Sequence, residues 1–179
     1  TGATEEYDGS TWTNGGTMAT ARRGPIPAGT QTAALGGGGY TNTNVADTEE
    51  YDGSAWTAGG NMGTARKFAA GAGTQTAGLG FGGYTSGGAT APSNATEEYD
   101  GSAWTAGGNM GTARYRLAGA GLQTAGLAFG GTPYPLATKS AATEEYNGTS
   151  WAVGGNLATA RQGLAGAGIQ TAGLAAGGK

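Results

Sequence analysis

Four pairs of adjacent glutamates, Glu5-Glu6, Glu49-Glu50, Glu97-Glu98 and Glu144-Glu145, come nearest in this chain to acid–base machinery. Two carboxylates divide acid and base work only when both reach one substrate. Each pair lies in a Thr-Glu-Glu-Tyr segment that reads as a strand, where neighbouring side chains point to opposite faces. An active site also breaks repeat symmetry with one unusual residue, and no copy here has one. The expectation is therefore structural: one Glu of each pair meets a neighbouring Arg, and the other is solvated. Gly78-Leu-Gly-Phe-Gly-Gly83 has the spacing of a dinucleotide fingerprint, but a loop follows it where a helix N-terminus would have to hold the phosphate. Asp8 and its equivalents could ligate calcium, yet Asn147 replaces the Asp in the fourth copy and a turn needs the same residues. Asn94-Ala-Thr96 and Asn147-Gly-Thr149 fit a glycosylation pattern that has meaning only in a secretory setting. No catalytic, metal or cofactor residue is assigned.

These residues belong to a repeat. Tyr7, Tyr51, Tyr99 and Tyr146 each stand five residues before a Trp (Trp12, Trp56, Trp104, Trp151), and an Arg follows ten residues later (Arg22, Arg66, Arg114, Arg161). Nine further on lies Gln31, Gln75, Gln123 or Gln170, and seven beyond that a Gly pair begins at Gly38, Gly82, Gly130 or Gly177. All length variation falls between that Gly pair and the next Tyr. A constant frame with one elastic loop marks repeated supersecondary units. Asp-Gly or Asn-Gly after each Tyr supplies the positive φ of a tight hairpin turn. The Trp strand follows, and two Ala/Gly-rich strands meet near the Gln. Each unit thus holds four short strands, with no helical periodicity. The units run about 1–39, 40–83, 84–131 and 132–179, all in a single domain 1–179.

Composition limits the function classes. The chain has 179 residues, 40 Gly, no Cys, no His and a net charge of −3. Without His or Cys it lacks the commonest general base, the commonest transition-metal ligand and any thiolate chemistry. Nine basic against twelve acidic residues make no cationic stripe for nucleic acid. No apolar run approaches the roughly 20 residues of a membrane span, so a soluble protein is expected. Leu, Ile, Val and Phe are scarce, and small residues must build the core through close approach of sheets.

Gly-Gly, a loop, Glu-Glu-Tyr-Asp, Trp five residues after the Tyr, then Met and Arg resemble the kelch repeat over essentially the whole chain; Met18, Met62 and Met110 become Leu157 in the last copy. The wording Ala-Thr-Glu-Glu-Tyr-Asp-Gly-Ser-x-Trp is also similar to kelch-like proteins of tailed viruses of marine bacteria. The resemblance implies an all-β fold, a β-propeller of four kelch-like four-stranded blades. The chain starts on a third strand and ends on a second, so closure is expected by pairing the N-terminal strands 3–4 with the C-terminal strands 1–2. That device would hide both open edges. Most kelch propellers resemble six- or seven-bladed rings, so an eight-bladed ring of two chains, or a piece of a longer protein, stays open.

In such a propeller Trp12, Trp56, Trp104 and Trp151 are expected to pack between blades. The elastic loops and the connections carrying Thr-Ala-Arg would emerge on one face, the usual place for recognition. Tyr40, Asn42, Asn44, Tyr84 and Tyr134, with Arg22, Arg66, Arg114 and Arg161, are the candidate ligand-binding residues. The function expected is a non-catalytic module binding a protein or glycan, as a virion or appendage component; the alternative is a structural repeat assembling into particles, fibres or homo-oligomers. Kelch enzymes similar to galactose oxidase use Cys, Tyr and His together, which this chain cannot supply.

Overall fold

The computed structural model describes residues 1–85, 92–133 and 138–179. Every regular element among them is a β-strand. The chain opens with β1 (Glu5–Tyr7) and β2 (Trp12–Asn14), an antiparallel half-sheet. Sheet I follows with β3 (Ile26–Thr30), β4 (Ala33–Gly37), β5 (Thr48–Tyr51) and β6 (Trp56–Ala58), all antiparallel and in sequence order. After the short β7 (Arg66–Lys67), sheet II is formed by β8 (Ala70–Gly73), β9 (Gly78–Phe81), β11 (Thr96–Tyr99) and β12 (Trp104–Ala106), while β10 (Tyr84–Thr85) leaves it to pair with β7. Past β13 (Arg114–Tyr115), sheet III has β14 (Ala118–Leu122), β15 (Ala125–Phe129), β17 (Thr143–Tyr146) and β18 (Trp151–Val153), with β16 (Thr132–Pro133) pairing β13. The last half-sheet is β19 (Leu164–Ile169) with β20 (Ala172–Gly177).

The hairpin inside each unit forms as its residues dictate. Tyr51 sits opposite Trp56, and Asp52 Oδ1 accepts the N–H groups of Ser54 and Ala55, both at 2.8 Å. Only Gly53 takes the positive φ (92°), so the Asp contributes a side-chain acceptor and the Gly the left-handed backbone. Asn147 Oδ1 does the same work for Thr149 and Ser150.

The Ala/Gly-rich first strands β3, β8, β14 and β19 pack along one another in chain order. Small residues permit this. A Cβ on Gly119 would lie 2.6 Å from the Gly71 carbonyl oxygen and 2.7 Å from Phe81 Cζ, and Gly71 and Gly166 face Pro27 and Gly119 carbonyls more closely still. Backbone therefore rests on backbone around an open groove of about 410 Å³ lined by Gly, Ala and Pro27. Between sheets the core is conventional: Ile26, Leu35, Met62, Tyr99 and Trp104 cluster at one junction, and Leu79, Phe81, Met110, Leu117 and Tyr146 at the next.

The expected union of the chain's two ends is not among the strand pairings. β1–β2 and β19–β20 each stand as a two-stranded sheet; β19 packs along β14, and β3 and β19 line the same groove. The consequence is visible at both ends. Tyr7 and Trp12 are 46% and 66% exposed, whereas Tyr51, Tyr99 and Tyr146 are buried; Leu174 is 63% exposed where its equivalents Leu35, Leu79 and Leu127 are buried.

Candidate recognition surface

Each framework Arg is placed by the loop that precedes its first strand, and the structure gives three of the four to the interior. Arg22, Arg66 and Arg114 are ion-paired with Glu49 (2.5 Å), Glu97 (2.5 Å) and Glu144 (2.8 Å). Their Nη1 groups donate to loop carbonyls: Gly38 and Asp47, Gly82 and Ala95, Gly130 and Ala142. Arg66 and Arg114 are fully buried, and burial pushes both guanidinium groups down while their glutamates oppose the shift. These three arginines, expected among the ligand-binding residues, are buried and tie each elastic loop to its sheet. Arg161 differs: it is half-buried, reaches the Gly177 carbonyl at 3.1 Å and has no carboxylate partner among the described residues.

The glutamate pairs also depart from expectation in one half. In three of the pairs the first member, Glu49, Glu97 or Glu144, meets its Arg, as anticipated. The second is not left to solvent, because Glu6, Glu50 and Glu98 accept the hydroxyls of Tyr51, Tyr99 and Tyr146 from the following sheet. Burial first, and these carboxylates second, push Tyr99 and Tyr146 up to about 12. Glu145, which has no following Tyr, is the exposed one. The carboxylates of a pair thus serve separate junctions, which matches their opposite-face placement. Three of the four tryptophans pack between sheets as expected, with Nε1 of Trp56, Trp104 and Trp151 donating to Thr4, Thr48 and Thr96 Oγ1 at 2.9 Å, while Trp12 stays exposed. Asp8 spends its carboxylate on its own turn, accepting Ser10 and Thr11 N–H groups.

The elastic loops and the segments after each framework Arg do come together. Tyr40 and Arg23 exchange backbone hydrogen bonds at 3.0 and 3.1 Å, Tyr84 opposes Lys67, and Thr132 opposes Tyr115. Asn44 Nδ2 donates to the Tyr84 carbonyl at 2.7 Å and so joins the first loop to the second; Asn42 is exposed beside it. Tyr134 lies outside the described residues.

On this scaffold aromatic rings and cations alternate. Arg23 lies 4.7 Å and Lys67 Nζ 3.9 Å from the Tyr40 ring centre, and Lys67 is 5.6 Å from the Tyr84 ring. Tyr84 meets Tyr115 edge to face at 5.4 Å, and Arg116 lies over Tyr115 and Phe68 at 5.6 and 5.2 Å. Contacts of this kind hold a cation over the ring quadrupole. No ion pair to a carboxylate involves Arg23, Lys67 or Arg116 among the described residues.

No protein-family model matches this sequence, and no curated protein shows significant similarity to it. The surface must be read from its own geometry. Phe68 and Arg116 both have φ of 54°, where the equivalent positions are Gly24 and Gly163 at 61° and 64°. A left-handed residue with a side chain costs roughly 1–2 kcal/mol. A ladder of backbone hydrogen bonds holds them there: Phe68 N–H to Gly24, Arg116 N–H to Phe68 (2.8 Å) and Gly163 N–H to Arg116 (2.8 Å). Strain kept by a rigid surround concentrates at functional positions.

Arg23, Lys67, Phe68, Tyr115 and Arg116 were not singled out from the sequence. A signal existed: the two residues after each framework Arg change class from copy to copy, as Arg-Gly, Lys-Phe, Tyr-Arg and Gln-Gly, inside a frame of constant length.

Proposed function

We propose that this chain is a non-catalytic recognition module of kelch-like blades that binds an acidic glycan on the face formed by Tyr40, Lys67, Phe68, Tyr84, Tyr115 and Arg116. The observation that carries this reading is the alternation of aromatic rings with cations that, among the described residues, no carboxylate neutralises. Aromatic faces take the apolar side of a sugar ring, and adjacent cations take its carboxylate or sulfate through charge-assisted hydrogen bonds. Side chains held on strand pairs and strained backbone lose little entropy on binding. The wording of the repeat, similar to kelch-like proteins of tailed viruses, supports a place on a virion or appendage.

The test is binding to immobilised acidic and neutral oligosaccharides and to acidic peptides, with Lys67→Ala and Arg116→Ala. Each substitution removes one charged partner and should weaken binding of acidic sugars about 10- to 100-fold, from roughly 1.5–3 kcal/mol per charged hydrogen bond. Added salt should weaken it further. Equal binding of neutral sugars, a preference for acidic peptides, or indifference to both substitutions would overturn the assignment.

A further inference from the structure

Two residues after each framework Arg the backbone turns left-handed: Gly24, Phe68, Arg116 and Gly163 have φ of 61°, 54°, 54° and 64°. The hydrogen bonds of this ladder run from backbone to backbone, so glycine at all four positions would make them equally well. Phe68 and Arg116 therefore carry side chains where the backbone disfavours a Cβ. Core packing does not offset the strain, because Phe68 is half-buried, Arg116 is exposed, and neither belongs to the apolar clusters between sheets. Strain of this kind is kept where a side chain acts on a ligand.

The two side chains meet each other. The Phe68 ring lies against Gly24, where a Cβ would stand 2.8 Å from Cδ1 and 3.0 Å from Cε1, so the glycine leaves room for the ring and backs it on that side. Lys67 Nζ is 5.8 Å and the Arg116 guanidinium 5.2 Å from the centre of this one ring, both inside the roughly 6 Å over which a ring attracts a cation. Each cation also has an aromatic flank of its own, Tyr40 at 3.9 Å for Lys67 and Tyr115 at 5.6 Å for Arg116. Neither pairs with a carboxylate among the described residues. Two positive charges gathered at one ring repel each other, and bound anions relieve that repulsion. Different rings hold the two most closely, Tyr40 for Lys67 and Phe68 for Arg116, which assigns each cation its own acidic group.

We propose that this site takes two acidic groups of one glycan, one at Lys67 and one at Arg116, with the intervening sugar laid on the Phe68 ring. Phe68 is then the positioning residue that sets the distance between the two charges. The proposal rests on the reading of this face as an acidic-glycan surface, and it narrows the ligand from any acidic sugar to chains that carry their charge on more than one sugar. A trisaccharide acidic at both ends meets both cations and places an apolar sugar face on the ring between them. The second charged contact is made within a ligand already bound, so it adds affinity without a second loss of translational freedom.

Titration calorimetry of the full chain with galacturonic acid, its linear trimer and the methyl esters of both tests this. The unaltered chain should bind the trimer about 10- to 100-fold more tightly than the monomer, the gain from one further charged hydrogen bond. Both acids should bind more tightly than their esters. Arg116→Gly should bind the trimer about as weakly as the unaltered chain binds the monomer. Phe68→Gly, which keeps both charges, should lose most of the trimer's gain as well. Glycine fits the left-handed backbone, so neither substitution should lower the melting temperature. Esters bound as tightly as the acids would overturn the acidic-glycan reading and this proposal with it. Acids preferred over esters, with monomer and trimer bound alike, would overturn the two-acid site alone and leave that reading standing. A trimer gain that survives Phe68→Gly overturns the positioning role, and a melting temperature lowered by either glycine variant overturns the assignment of the strain to binding.

Discussion

Replacing Arg66 by Met removes the guanidinium and keeps most of the stem, and the loss can be worked out group by group. Nη2 donates to Glu97 Oε1 at 2.5 Å, and Nη1 to the carbonyls of Gly82 and Ala95 at 3.0 and 2.9 Å. Without them the Glu97 carboxylate, 6% exposed, keeps only the Gly63 N–H, and two loop carbonyls lose their donor. Stranding one charge of a buried pair costs about 3–5 kcal/mol. At roughly 2–4 °C per kcal/mol for a domain of this size, melting should fall by about 6–20 °C. The chain supplies its own control, since Arg161 holds the same place in the repeat with no carboxylate and a single carbonyl at 3.1 Å. Arg161→Met should stay within about 0.5 kcal/mol. Replacing both partners, Arg66→Met with Glu97→Leu, should recover much of the loss, because a buried pair adds little over well-packed apolar groups. The assay is denaturant unfolding of all four proteins. Equal losses for Arg66→Met and Arg161→Met would refute the reasoning, as would a double variant no better than the single.

Two further outcomes follow from packing and protonation. Gly119→Ala, whose Cβ would meet the Gly71 carbonyl at 2.6 Å, should destabilise by about 1–3 kcal/mol despite the usual entropic gain of Gly→Ala, measured by the same unfolding assay. Tyr99 and Tyr146 should ionise near 12 in the folded chain against 10.0 for the free side chain, seen by ultraviolet titration. Their folded values are raised, so the stability they contribute is whole below about pH 10 and is lost as pH rises from 10 towards 12. Tyr99→Phe should flatten that alkaline loss in part.

What the sequence displayed and what it concealed divide along a physical line. Contacts within a unit depend on near neighbours, and their chemistry is local: Tyr51 opposite Trp56 and the Asp52 turn. Constant spacing was enough to place them. Contacts between units recur every 40-odd residues, and symmetry revealed that Arg and Glu would meet but not which Glu of each pair. The glutamate that misses the Arg was expected in solvent, and its partner is a Tyr of the following sheet, 45 to 49 residues on. The recognition surface was hardest to see, since the cations at Arg23, Lys67 and Arg116 break the repeat, and period-based reasoning discounts what does not repeat.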